Sequence, residues 1–321
     1  MSDLAGIDIV AAERRIRSHV LRTPLVAWPR GRLWLKCENQ QMTGSFKLRG
    51  ALNKVLGLSP DELRLGLVAA SAGNHGIGVA LAAKVAGAKA TVVVPQHVVS
   101  SKRRALERLG ADVRLADGDF AVAEAEAMAL AEESGAVWIS PYNDPQVIAG
   151  QGTLGLELGA QWPVGREETV EVYVPVSGGG LLSGVGLGLR AAGVRARLFD
   201  VQPENVPYFE RYFRGQDPST VVESPTLADG LAGAVESRSI TWEIVRRVAD
   251  DVLLVSEAEI ADAIVDVYDA TGMLIEPAAA VSVAAGRRSR APTRLALLSG
   301  GNASPDLLER IRGAGESASP A

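Results

Sequence analysis

The chain has 321 residues, a length that suits about two domains around a substantial core. Its 33 basic and 38 acidic residues leave a formal charge of −5 without a long basic run, which argues against a nucleic-acid partner. The longest apolar-looking segment, GIGVALAAKVAGAKATVVVP, is broken by Lys84, Lys89 and several glycines, and the opening MSDLAGIDIVAAERR carries Asp3, Asp8 and Glu13, so neither a membrane span nor an export signal is expected. Cys37 is the single cysteine, which excludes an intrachain disulfide and makes a cytoplasmic location the expectation.

From about residue 65, short Val/Leu/Ala-rich runs alternate with helical periodicity. In chain order, GLVAAS, KATVVVP, DVRLAD, AVWISP, VEVYVPV, RARLFDVQP, DVLLVS and TRLALLSGG predict strands. Most are apolar throughout, the pattern of strands covered on both faces. SKRRALERLGA, DFAVAEAEAMALAEESG, PQVIAGQGTLGLELGAQ and EAEIADAIVDVYDATG predict helices, and the alternation predicts an α/β architecture with mainly parallel sheets. The tail GAGESASPA, small and polar, is expected to be disordered.

Four turns carry candidate chemistry. In TGSFKLRGA, residues 43–51, Lys47 lies between Phe46 and Leu48, whose bulk would desolvate its amine and favour the neutral, nucleophilic form. Only 6 of the 33 basic residues are lysines, so arginine supplies most of the surface charge, although a solvated surface lysine is the plain alternative. In SAGNHGIGVA, residues 71–80, Ser71, Gly73, Asn74 and His75 bring side-chain donors and backbone amides to the start of a helix, a nest for a carboxylate. For His75 the plain alternative is a helix-start residue.

SGGGLLSGVGLGL follows a strand and puts Gly178, Gly179 and Gly180 where amides can converge on a phosphate; Gly184, Gly186 and Gly188 would equally suit a closely packed helix. No Gly-Lys-Ser/Thr follows, which excludes a Walker loop, and the spacing of Gly178, Gly180 and Gly184 is one residue too long for a dinucleotide fingerprint, despite Asp200 at a suitable distance. LLSGGN ends the last strand with Ser299; its plain alternative is a cap, with Asn302 to Ser304 starting a final helix.

Taken together and in this order, the four segments resemble the pyridoxal-phosphate enzymes of the tryptophan-synthase-β fold type (fold type II), and within it the threonine and serine dehydratases, or deaminases, which are related to serine racemase. KCENQQMTGSFK, VIAGQGT, TLADGLAG and IEPAAA extend the resemblance from about residue 20 to residue 302. It implies two domains, each an open, mainly parallel sheet flanked by helices: residues 1–47 with 147–321 binding the cofactor, and residues 48–146 binding the substrate carboxylate. It implies pyridoxal 5'-phosphate as cofactor, with Lys47 forming the Schiff base, Phe46 beside the ring and Asn74 holding the ring hydroxyl. Gly178, Gly179, Gly180 and Leu181 would take the phosphate, and Ser299 would face the pyridine nitrogen. Ser71, Ala72, Gly73, Asn74 and His75 would receive the substrate carboxylate.

The implied reaction is α,β-elimination from a β-hydroxy amino acid, L-threonine and/or L-serine, to a 2-oxo acid and ammonia. A serine opposite the ring nitrogen cannot hold it protonated as an aspartate would, which favours prompt elimination. A dehydratase for 3-hydroxyaspartate or phenylserine, a serine racemase, a nicotinamide-dependent oxidoreductase and a non-catalytic binding protein are the alternatives. Ala72 stands where racemases carry a serine that transfers a proton on the opposite face, which disfavours racemisation. Gln202 and Tyr208 stand where the family's divalent-cation site has acidic ligands, so no metal is expected. Ser177 replaces a further glycine of the phosphate loop, a tolerable change, and Leu48 argues against a cysteine synthase. The chain ends soon after LLSGGN, so no C-terminal regulatory domain is expected. The resemblance also implies a homo-oligomer, with a dimer favoured. Residues 141–145 (PYNDP) and 228–233 (ADGLAG) are the candidates for choosing the substrate side chain.

Overall fold

The computed structural model describes residue 4, residues 6–29 and residues 31–317. In chain order the strands are β1 (Leu25–Ala27), β2 (Leu33–Cys37), β3 (Leu67–Ala70), β4 (Ala90–Pro95), β5 (Asp112–Ala116), β6 (Val137–Trp138), β7 (Val170–Pro175), β8 (Ala196–Pro203), β9 (Asp251–Val255) and β10 (Arg294–Leu298). They form two sheets. The six-stranded sheet has the order β1-β2-β10-β7-β8-β9 and is parallel except for β1, which runs antiparallel to β2 with Leu25 opposite Lys36. The four-stranded sheet has the order β5-β4-β3-β6 and is parallel throughout. Helices cover them, giving the α/β class that the alternation implies.

All eight strands read from the sequence are present, and the four predicted helices correspond to Ser100–Arg108, Phe120–Ser134, Pro145–Ala160 and Glu257–Thr271. Their starts have local causes. The Asp144 carboxylate accepts the amides of Gln146 and Val147, with Pro145 at the first helical position, and Ser256 and Glu259 form a reciprocal capping box. Two expectations differ. The final helix spans Leu307–Ser317 rather than starting at residues 302–304, so residues 313–317 of the tail are helical; residues 318–321 lie outside the described residues.

Strands β1 and β2 are additional to those read from the sequence. Lys36 interrupts the run LWLKC, yet it is fully buried, its ammonium donating to the Thr23 carbonyl and to Gln161 Oε1 and pairing with Glu157.

Helices Pro145–Ala160 and Gly180–Ala192 meet along a glycine seam. A Cβ on Gly188 would stand 2.2 Å from the Gly152 carbonyl oxygen, and one on Gly184 2.6 Å from the Gly152 nitrogen. Gly188→Ala is therefore expected to destabilise the protein by about 1–3 kcal/mol, read as a lower urea midpoint.

Asp200, on β8, is fully buried; its Oδ1 accepts from Gln202 Nε2 at 2.8 Å, and its Oδ2 has no partner among the described residues. Burial raises its pKa to about 8. An unfolded chain ionises this carboxyl near pH 4, so folding must take up a proton, and the group's contribution to stability falls as pH rises from about 4 to 8. The neutral Asp200→Asn is expected to be more stable than the parent by about 1–2 kcal/mol at pH 8, with the gain vanishing near pH 4 in a pH series of urea midpoints.

The topology brings three loops together. Residues 71–74 follow β3, 177–181 follow β7 and 299–302 follow β10, all at the carboxyl ends of parallel strands, the end where α/β sheets place their ligands.

Candidate active site

Lys47 is the first residue of helix Lys47–Leu56. The peptide before it is anchored to β10: the Phe46 amide donates to the Ser299 carbonyl at 3.1 Å, and Ser45 bridges Gly300. Helix Asn74–Ala86 lies against this start, because a Cβ on Gly78 would stand 3.3 Å from the Lys47 carbonyl carbon. The Lys47 amine donates to the Pro141 carbonyl at 3.0 Å and lies 5.2 Å from the centre of the Phe46 ring. Burial lowers its pKa to about 8, partly opposed by the negative charge of Glu276. A large fraction of Lys47 is thus neutral near pH 8, as a nucleophilic amine requires.

The turn after β3 closes tightly. The Gly73 amide donates to Ser71 Oγ at 3.1 Å, and a Cβ on Gly76 would fall 2.0 Å from the Ser71 carbonyl oxygen. Ser71, Ala72, Gly73 and Asn74 are partly accessible at the N-terminus of helix Asn74–Ala86, where free amides favour an anion. His75 points elsewhere. Its ring is buried and its Nε2 lies 2.8 Å from the Ile139 carbonyl, an acceptor, so that nitrogen carries the proton. Burial, with Lys47 adding to it, lowers its pKa to about 3, which keeps the ring neutral.

At the turn after β7, Gly179 has φ +80°, a left-handed conformation that only glycine adopts without strain, and Gly180 starts helix Gly180–Ala192. A Cβ on Gly178 would fall 2.3 Å from the Tyr142 ring, and one on Gly180 2.9 Å from the Tyr142 Cα. The bare backbone at Gly178 and Gly180 thus admits Tyr142. The PYNDP segment is held over this turn: the Glu236 amide donates to the Tyr142 hydroxyl, Asn143 Nδ2 donates to Glu236, and Asn143 Oδ1 accepts from the Ile240 amide. Leu181 is buried behind the turn.

Ser299 directly follows β10 and is buried at 3% exposure. Two neighbours complete the wall. Asn74 Nδ2 lies 3.0 and 2.8 Å from the two Glu276 carboxylate oxygens, and Asn302 Nδ2 donates to Asn74 Oδ1 at 2.6 Å and to the Thr43 carbonyl at 2.8 Å. Burial raises the Glu276 pKa to about 7; Asn74 opposes this and the Asp229 carboxylate, in the ADGLAG segment, adds to it. Glu276 and Asn302 escaped the sequence reading as site residues. IEPAAA contributes Glu276 only as one matching letter, and Asn302 reads as a helix cap.

A glycine turn at one helix start, a lysine whose burial favours its neutral form, a buried serine and a second helix start lie at neighbouring strand ends here, and each would suit one part of pyridoxal phosphate and an amino acid. The sequence matches the family model described as "Pyridoxal-phosphate dependent enzyme" over residues 16–298. The chain belongs to the pyridoxal-phosphate-dependent enzymes.

Relatives within this pyridoxal-phosphate family include an L-threonine ammonia-lyase from Thermotoga maritima, 41% identical over 313 residues, which span 95% of this chain and 77% of the relative. Among solved structures, a processed threonine deaminase isoform 2 from Solanum lycopersicum superposes with a TM-score of 0.86 at 29% identity, covering 99% of this chain and 88% of that one. Maize serine racemase superposes with a TM-score of 0.83 at 32% identity, covering 96% and 97%. The pyridoxal-phosphate fold is therefore shared by proteins with two different reactions, and the side chains lining this site must separate them.

Two positions of interest outside the site are occupied by hydrogen bonding. Gln202 donates to Asp200 and accepts from the Phe209 amide at 3.0 Å, and the Tyr208 hydroxyl donates to Glu223 at 2.9 Å. No group of three or more His, Cys, Asp or Glu side chains suited to a metal occurs among the described residues, and no helix there is long and apolar enough to cross a membrane.

Proposed function

We propose that this enzyme dehydrates and deaminates a β-hydroxy amino acid, L-threonine and/or L-serine, releasing a 2-oxo acid and ammonia. The observation that carries the reading is the Lys47 amine, its pKa lowered to about 8; Ala72, at the position that resemblance gives to the opposite-face proton donor of racemases, supports it. Pyridoxal phosphate, when bound, supplies an electron sink that acidifies the α-carbon of the amino acid. The amides of Gly178, Gly179, Gly180 and Leu181 would hold the phosphate, Phe46 would flank the ring, Asn74 would meet the ring hydroxyl and Ser299 would meet the ring nitrogen without protonating it. Ser71, Ala72, Gly73, Asn74 and His75 receive the substrate carboxylate through the helix N-terminus.

Lys47 Nζ would hold the cofactor and, as a free amine, would take the α-proton from its own face. Ala72 has no proton to deliver from the other face, so the α-carbon is not remade with inverted configuration and loss of the β-hydroxyl is the open outcome. Serine racemisation is the second reading, favoured by the maize neighbour and opposed by Ala72. The reading further takes residues 48–146 as the substrate-carboxylate domain, residues 1–47 with 147–321 as the cofactor domain, and the assembly as a homo-oligomer in the cytoplasm.

The test is to measure 2-oxobutanoate from L-threonine, pyruvate from L-serine and D-serine from L-serine with the purified holoenzyme. Oxo-acid formation well in excess of D-serine is expected; D-serine as the main product would overturn the reading. The same assay with EDTA is expected to proceed at an unchanged rate, because the Gln202 and Tyr208 positions offer no pair of charged oxygen ligands.

A further inference from the structure

Asn74, Asn302 and Glu276 form one chain of hydrogen bonds whose direction is forced from the Thr43 end. The Thr43 carbonyl can only accept, so the Asn302 atom 2.8 Å away is its Nδ2. That nitrogen also donates to Asn74 at 2.6 Å, so the Asn74 atom there is Oδ1. The other end of Asn74 is then Nδ2, which donates to the Glu276 carboxyl group. The two carboxylate oxygens are too close together to take one hydrogen each, so they share one N–H and leave the other available.

The carboxylate is itself seated by the backbone. Glu276 precedes helix Pro277–Arg288, its amide donates to the Gly300 carbonyl, and a Cβ at Gly300 would fall 2.3 Å from Oε1. Asn74 starts a helix of the four-stranded sheet, whereas Glu276 and Asn302 flank β10 in the other.

We infer that Asn302 and Glu276 are positioning residues that lock the polarity of the Asn74 amide, so that it meets the cofactor's ring hydroxyl as a donor. This rests on the reading of Asn74 given above. Asn302→Asp keeps the shape but sets a third acceptor beside the Thr43 carbonyl and Asn74 Oδ1, which drives the Asn74 amide to turn over and oppose its oxygen to Glu276. Adding Glu276→Gln supplies a donor for that oxygen, so the double variant satisfies the reversed chain.

The experiment measures, for both variants and the parent holoenzyme, the thermal midpoint, the near-visible band of bound pyridoxal phosphate and kcat/KM. Asn302→Asp is expected to lower all three measures of order: a lower midpoint, a displaced band and about a ten- to hundredfold loss of kcat/KM. The double variant is expected to regain the midpoint while the band stays displaced and kcat/KM stays low. Should the band and rate return along with the midpoint, or the band never move in Asn302→Asp, the chain is structural and the polarity lock is overturned. If Asn302→Asp does not fold, Asn302→Ala, which removes one end of the chain without adding a charge, carries the same spectral criterion. A parent with a normal band but no oxo-acid product would overturn the proposed reaction and leave the spectral criterion standing.

Discussion

Replacing Lys47 by alanine is expected to lower kcat/KM for L-threonine by about a thousandfold or more, because in the proposed mechanism one amine both carries the cofactor and moves the α-proton. The absorption spectrum should change with it: the near-visible band that depends on covalent attachment disappears, while non-covalent binding through the glycine turn persists. Folding should not suffer. Burial holds the Lys47 pKa near 8 against an ordinary 10.5, so below pH 8 the native state bears the penalty of a buried ammonium, which fades as pH rises towards 10.5. Lys47→Ala should therefore match or exceed the parent in thermal midpoint at pH 7. An alanine variant that keeps a tenth or more of the activity would remove Lys47 from the chemistry.

Arg49→Leu is expected to cost about 3–5 kcal/mol of stability, the largest effect of any single change outside the cleft. Arg49 is 1% exposed and its guanidinium grips Glu38 with two bonds of 2.8 Å, reaches Glu157 at 2.9 Å and lies on the helix that begins with Lys47. Lys36 completes the group on the other side of Glu157, so two acids and two bases share one buried site. Burial pushes the Glu38 carboxyl up, but the Arg49 charge and hydrogen bonds, with Thr23, bring it below the ordinary carboxylate range. Its contribution is present above the unfolded pKa and lost as acid protonates it. Without Arg49 the isolated Glu38 takes up a proton readily. The gap between parent and variant in urea titrations should consequently be widest near pH 7 and narrow towards pH 4; a constant gap would point to lost packing alone.

How far the fold could be read from the letters depended on where each residue finds its partner. Strands such as VEVYVPV and KATVVVP are buried on both faces and announce themselves by unbroken apolar runs. Strand β2 does not, because Lys36 reads as a solvent-facing charge until Glu157, 121 residues later, is placed beside it. The site shows the same division. Lys47, Asn74, Gly178–Gly180 and Ser299 stand in short local motifs, and the structure sets their loops beside one another at the carboxyl ends of the parallel strands. Glu276 and Asn302 act through Asn74 across separations of 202 and 228 residues, so their contacts leave no local pattern. His75 misleads in the opposite direction: a titratable residue at a helix start whose ring is sealed against a backbone carbonyl.

Strand β10, the last to be made, lies between β2 and β7 in the middle of the larger sheet. During synthesis the four strands of the smaller sheet can pair as soon as residue 138 has emerged, whereas the larger one must wait for residues 294–298 before its centre exists. Until then β2 and β7 keep open edges, a state prone to aggregation that a chaperone would recognise. Ser299 directly follows this strand, so a ribosome that stalls short of it releases a chain with neither a continuous sheet nor all of the candidate site.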